Sequence, residues 1–111
     1  MRRDLRTAWL LLLLRDGSNY GYELRRALGA RAMSLDPAVM YRTLREMEKA
    51  CLISSRWVRS DTGPRRRVYD ITEAGRAELR RVAAAITTAR DAQTTFLVAL
   101  DEQAPATTAA P

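Results

Sequence analysis

The chain is predicted to be mainly α-helical with one small two-stranded β-hairpin, on three observations. Three segments with helical apolar spacing follow one another within the first 50 residues. A Gly-Pro turn between runs of strand formers comes next, and a long segment striped with apolar residues follows it.

The first helix is read over residues 3–15. From Trp9 it is apolar nearly all round, through Leu10-Leu11-Leu12-Leu13-Leu14 to Arg15-Asp16. That run is too short to cross a bilayer, and no small-residue cleavage site follows it, so it reads as a buried helix rather than a span or a signal peptide. A helix apolar on all sides needs cover on more than one side, and a second subunit is the natural cover. Gly17-Ser18-Asn19 signals a turn, and a second helix is expected from Tyr20 to about Leu28, with Gly29 marking its end.

Asp36-Pro37 is a strong helix start: the carboxylate caps free N–H groups, and proline fits the first helical position. The third helix is predicted from Pro37 to about Ala50, with Met40, Leu44 and Met47 on one face and Tyr41, Arg42, Arg45 and Lys49 mostly off it. Residues 52–59 then read as a strand, Ser60-Asp61-Thr62-Gly63-Pro64 as the turn, and residues 65–71 as the returning strand. Thr72 is a plausible cap for the last helix, although a capping box would place an acid at Gly75. In that helix Leu79, Val82, Ile86, Phe96, Leu97 and Leu100 keep a roughly helical spacing. No neighbour is left for it within so small a domain, so pairing with the Leu-rich first helix of another copy is expected.

This order of elements is that of a winged helix-turn-helix. The predicted organisation is a winged helix-turn-helix domain over residues 1–72, a C-terminal dimerisation helix over 73–100 and a disordered tail over 101–111, which lacks large apolar residues. Dimerisation suits a chain of 111 residues, since small domains bury a limited share of their surface.

Charge narrows the function. The net charge is +6, and of the 19 basic residues only Lys49 is a lysine. Arginine forks suit phosphates and guanine edges, so double-stranded DNA is the expected partner; no membrane partner is expected. With no histidine and a single cysteine, the chain offers neither a histidine base, nor a zinc cluster, nor an internal disulfide. No Gly-rich phosphate loop or motif-placed carboxylate pair is present either. An enzyme, a metal site and a cofactor are therefore not expected, and the cysteine count fits a cytoplasmic protein.

A helix-turn-helix sets the start of its second helix in the major groove. Here that start carries Asp36, Ala38, Tyr41, Arg42 and Arg45. Alternatively, Arg42–Glu46 and Arg45–Glu48 pairs merely stabilise a solvated helix face. The hairpin holds five arginines (Arg56, Arg59, Arg65, Arg66 and Arg67) against Asp61 alone. Three adjacent cations repel one another without an anionic partner, so the tip, Thr62 and Gly63 through Arg65, Arg66 and Arg67, is expected on DNA. Tyr20 and Tyr22 flank Gly21 at a helix N-terminus, where phosphate is favoured, and Tyr20 is the better candidate of the two. Trp9, Trp57 and Phe96 read as core or interface aromatics. Cys51 falls where a helix turns out through the left-handed region that glycine prefers; it is either a tolerated small residue or a redox-responsive thiol.

Four segments together resemble the PadR family of transcriptional regulators: Gly17-Ser18-Asn19-Tyr20-Gly21-Tyr22-Glu23-Leu24, Met40 through Lys49, Leu52-Ile53, and Gly63 through Gly75. They run in unbroken order over about residues 5–80. The resemblance implies a winged-helix domain with a C-terminal dimerisation helix, and the single last helix is similar to the short subfamily that includes multidrug-binding repressors. It implies DNA contact at Tyr20, Tyr41, Arg42 and Gly63 to Arg66, on an inverted-repeat operator read by a homodimer. It also implies a small hydrophobic or aromatic effector near Ala8, Trp9, Leu12, Val82, Ile86 and Arg90. Ile86 stands where a drug-binding member has tryptophan, and Cys51 where the family usually has glycine. The dimer interface is expected at Leu5, Trp9, Leu79, Val82, Ile86, Phe96, Leu97 and Leu100. The resulting expectation is a dimeric repressor released by its effector. The alternatives are a winged-helix protein-interaction module and a regulator responding to redox through Cys51.

Overall fold

The Leu-rich run folds into α1 (Arg3–Leu14), whose Leu10, Leu11 and Leu14 are wholly buried. The computed structural model describes the backbone of residues 3–109 and the side chains of residues 5–102. Helices α2 (Gly21–Ala30) and α3 (Pro37–Lys49) close around α1 and bring Leu24, Leu28, Met40, Leu44 and Met47 into the same core. Each such side chain contributes about 1.5–3 kcal/mol through the apolar surface it removes from water.

Asp36 caps α3 as its sequence predicts, accepting from the Ala38 N–H at 2.8 Å and the Val39 N–H at 3.4 Å. Both α2 and α3 end in the same way. At α3 the Leu52 N–H reaches the Met47 carbonyl and the Cys51 N–H the Glu48 carbonyl, with Cys51 at φ 61°. At α2 the Met33 N–H reaches Leu28 and the Ala32 N–H reaches Gly29, with Ala32 at φ 57°. These are six-to-one and five-to-two closures around a left-handed residue. Gly29 therefore does not end α2: the helix runs on to Ala30, and an alanine takes the left-handed position.

The sheet has three strands where two are expected. The strands β2 (Ile53–Ser60) and β3 (Gly63–Ile71) form the hairpin, and β1 (Asn19–Tyr20) pairs with β3 on its other side, in the order β1-β3-β2. Two residues are too few to show an alternating pattern; only the partners Tyr69 and Val68 make them a strand. The turn is also tighter than predicted. Ser60 pairs with Gly63, so Asp61-Thr62 form the tip and Gly63-Pro64 already belong to β3.

The base of the hairpin is fixed to the start of α4 (Glu73–Ala109). The Thr72 N–H donates to the Leu52 carbonyl, and the Thr72 hydroxyl lies 2.7 and 2.9 Å from the Cys51 and Leu52 carbonyls. The same hydroxyl accepts the Gly75 N–H at 3.0 Å, the predicted cap. The structure also explains why Gly75 is not an acid: a Cβ there would run into the Leu52 carbonyl oxygen and come within 2.8 Å of Ile71 Cγ1. Gly75→Ala is expected to cost about 2–3 kcal/mol through this overlap and to lower the thermal midpoint by about 10 °C or more. An unchanged midpoint in a melting experiment would overturn that account.

The chain divides into two compact units, Met1–Arg80 and Arg81–Pro111. The first holds the winged helix and the opening turns of α4. In the second, α4 continues to Ala109, past the end near residue 100 that the sequence suggests. Residues 101–104 (Asp-Glu-Gln-Ala) have ordinary helix propensity and do not stop a helix that is already formed. The last two residues of the predicted tail, Ala110 and Pro111, lie outside the described residues, as do Met1 and Arg2 at the other end.

Candidate nucleic-acid interface

The polar face of α3 is set by its buried one. Met40, Thr43, Leu44 and Met47 point inward, so Ala38, Tyr41, Arg42 and Arg45 are left on the surface. Gly21, the first residue of α2, lets Tyr41 lie against that helix: a Cβ on Gly21 would sit 2.9 Å from Tyr41 Cε1 and 3.3 Å from its hydroxyl oxygen. The Tyr41 hydroxyl is thus placed beside a helix N-terminus, where N–H groups and dipole favour an anion.

The wing meets the same place. Arg66 lies over the Tyr20 ring at 5.7 Å, on the sheet face opposite the core. Tyr20, Tyr41, Arg66 and Arg67 line one open cleft of about 560 Å³ with Gly21, Tyr22, Glu23 and Tyr69. Burial pushes the Tyr69 hydroxyl above its ordinary pKa, against the opposing pull of the Arg67 charge. Near the tip the ladder slips: Val58 pairs with Arg66 and Ser60 with Gly63, so β3 takes three steps where β2 takes two. Bulges of this kind re-aim side chains, and this one absorbs Pro64, which has no N–H for the ladder, with Arg65 exposed beside it.

The other predicted residues fall as follows. Thr62 and Gly63 are exposed at the tip, and Tyr22 is exposed with Arg26 at 5.8 Å from its ring. The Asp36 carboxylate is engaged in capping α3. Arg67, grouped with the tip in sequence, instead reaches Ser55 and Glu48 on the core side of the sheet. Glu48 accordingly faces the wing rather than pairing with Arg45 along the helix. Trp57 is 58% exposed beneath Arg67 and is not a core aromatic.

Of the residues expected at an effector or dimer site, Ala8 is buried, and Leu5, Trp9 and Leu12 are partly buried, Trp9 under the Arg31 guanidinium at 5.2 Å. Leu79 packs against the core of its own winged-helix unit. In the second unit Val82 is partly buried, Arg90 is exposed beside Asp91, and Ile86, Phe96, Leu97 and Leu100 are all about half exposed or more. Sequence reading missed Tyr69, Ser55 and Glu48. The signal was there in alternation: Ser55 and Tyr69 are cross-strand partners two residues from the core pair Ile53 and Ile71. Among the described residues no group of histidine, cysteine, aspartate or glutamate is placed to hold a metal, and no helix is long and apolar enough to cross a membrane.

Residues 10–81 match the transcriptional regulator PadR-like family. The chain belongs to that family. Its members are transcriptional regulators, not enzymes. Solved PadR structures have the same fold. A PadR-like transcription factor from Bacteroides fragilis matches at 23% identity and TM-score 0.79, over 86% of this chain and 93% of that one. A PadR family transcription regulator from Clostridium difficile R20291 matches at 26% identity and TM-score 0.76, over 83% and 97%. Bacillus subtilis PadR, solved in complex with operator DNA, matches at 24% identity and TM-score 0.64, over 71% of this chain and 46% of the other. Comparison with curated protein sequences gives no match.

Proposed function

We propose that the protein is a dimeric DNA-binding repressor that holds an inverted-repeat operator and is released by a small hydrophobic or aromatic effector. The observation that carries DNA binding is the cleft that joins the Tyr20 end of α2, Tyr41 of α3 and Arg66 of the wing. Three elements converge there with aromatic hydroxyls, a helix N-terminus and a guanidinium, a set of groups suited to phosphate. Ala38, Arg42 and Arg45 then meet base edges in the major groove, and Thr62, Gly63 and Arg65 follow the backbone toward the minor groove. The Bacillus subtilis PadR solved with operator DNA supports this reading.

Dimerisation rests on the second unit. Ile86, Leu97 and Leu100 fall on one stripe of α4, with Phe96 at its edge, and leave large apolar area in water. A second copy covers them, Leu5 and Trp9 of α1 also belong to the proposed interface, and a two-fold pair of wings reads an inverted repeat. Ala8, Trp9, Leu12, Val82, Ile86 and Arg90 would border the effector site. The test is a gel shift with the duplex upstream of the protein's own gene against a scrambled duplex of equal length. The expected result is retention of the first at concentrations that leave the second free, as specific binding exceeds non-specific by about a thousandfold or more. Equal retention of both would sink the proposal.

A further inference from the structure

Arg67 lines the cleft beside Arg66, yet its guanidinium is engaged by Ser55 and Glu48 and not left free at the tip. Its Nε donates to the Ser55 hydroxyl oxygen at 2.9 Å, and its Nη2 lies 3.5 Å from Glu48 Oε2. The Ser55 hydroxyl in turn donates to the Glu48 carboxylate, 2.8 Å from Oε1. The guanidinium also lies over the Trp57 ring, 5.3 Å from its centroid. Glu48 belongs to α3, Ser55 and Trp57 to β2 and Arg67 to β3, so one connected set of polar contacts ties the helix that carries Tyr41 and Arg45 to both strands of the wing. Glu48, Arg45 and Tyr41 stand at successive i, i+3 and i, i+4 positions on α3, so the carboxylate shares a helix face with Arg45 and Tyr41.

We propose that Glu48, Ser55 and Arg67 form a latch that sets the wing at a fixed angle to α3, making Arg67 a positioning residue for operator recognition and not a phosphate contact. The inference rests on the proposed DNA binding. A reader that places α3 in one groove and the wing tip in the next gains from both only when their separation is set beforehand; otherwise the ordering cost is met on binding. The latch supplies that setting at the point where the hairpin leaves the core: Tyr69, the residue next on the same face, is already buried, and every residue from Asp61 to Arg67 is exposed.

Two substitutions test it: for Glu48→Gln simple charge and the latch predict opposite signs, and for Arg67→Ala they predict different salt slopes. Glu48→Gln removes a negative charge from a DNA-facing protein, and electrostatics alone would tighten binding to every duplex. The latch predicts weaker binding to the specific duplex by about 5- to 10-fold, the worth of a partly exposed charge-assisted contact, with scrambled duplex held as tightly as before or more so. Arg67→Ala should weaken specific binding to a similar degree and leave the slope of log K against log salt unchanged. A phosphate contact would instead reduce that slope by about one. In the double variant the two losses should not add. Hydrogen exchange on the free protein gives a readout without DNA: in Glu48→Gln the amides of Arg65 to Arg67 should exchange faster while those of α1 do not change. Tighter specific binding by Glu48→Gln, a salt slope lowered in Arg67→Ala, or unaltered exchange at the wing would each overturn the latch. Equal retention of specific and scrambled duplex by the unaltered protein would instead overturn the proposed function, and the exchange measurement would still decide the latch.

Discussion

Replacing both outward arginines of the wing, in Arg65→Ala/Arg66→Ala, is expected to lower affinity for the operator duplex about 100-fold at moderate salt. Arg65 and Arg66 are exposed on the hairpin, Arg65 within the slipped part of the ladder, and Arg66 lies over the Tyr20 ring at the cleft. The two cations would displace two condensed counterions, so the salt slope should fall by about two. Loss of Arg66 also frees the Tyr20 ring, which adds to the effect. Fluorescence anisotropy of labelled duplex across a salt series measures both quantities. Affinity loss with an unchanged slope would mean that these side chains do not meet phosphate.

The second large effect is expected from the last helix. Phe96 and Leu97 are 65% and 57% exposed in the single chain, so aspartates there should cost the isolated protomer little. Between two copies they would place charges in an apolar seam. Phe96→Asp/Leu97→Asp should therefore sediment as a monomer, while the unaltered protein is expected to sediment as a dimer. Its operator affinity should drop by about two orders of magnitude or more, because the second half-site is no longer held at high effective concentration. A variant that stays dimeric would move the interface elsewhere; an unaltered protein that is monomeric at micromolar concentration would remove it.

Much of this arrangement was legible in the sequence wherever a residue acts on its immediate neighbours. The Asp36-Pro37 cap, the buried stripe of Met40, Leu44 and Met47, the left-handed turn at Cys51 and the Thr72 cap are all short-range chemistry, and each stands where its residues imply. What was not legible depends on partners distant in sequence. Strand β1 exists only through Val68 and Tyr69. Gly75 is required by a carbonyl at Leu52, not by its own helix. Arg67 reads as one of three equivalent cations until pairing with β2 assigns it to the face that carries Ser55 and Trp57. End signals misled in a similar way. Gly29 looks like a helix terminator, yet the closure falls three residues later at Ala32, where the contacts of Leu28 and Met33 hold it.

In the order β1-β3-β2, strand β2 is an outer strand, with one row of N–H and C=O groups facing no partner within the sheet. An eight-residue edge of that kind is a template for another chain to extend. Arg59 is an exposed cation and so is Arg56, although Arg56 is paired with Asp70 at 3.4 Å, and stacking a second copy alongside would bring the arginines of the two strands together. On that physical ground, the charge of this strand should also disfavour growth of the hairpin into an intermolecular sheet. Work that strips positive charge from this strand to dissect recognition would, by the same step, expose an aggregation-prone edge.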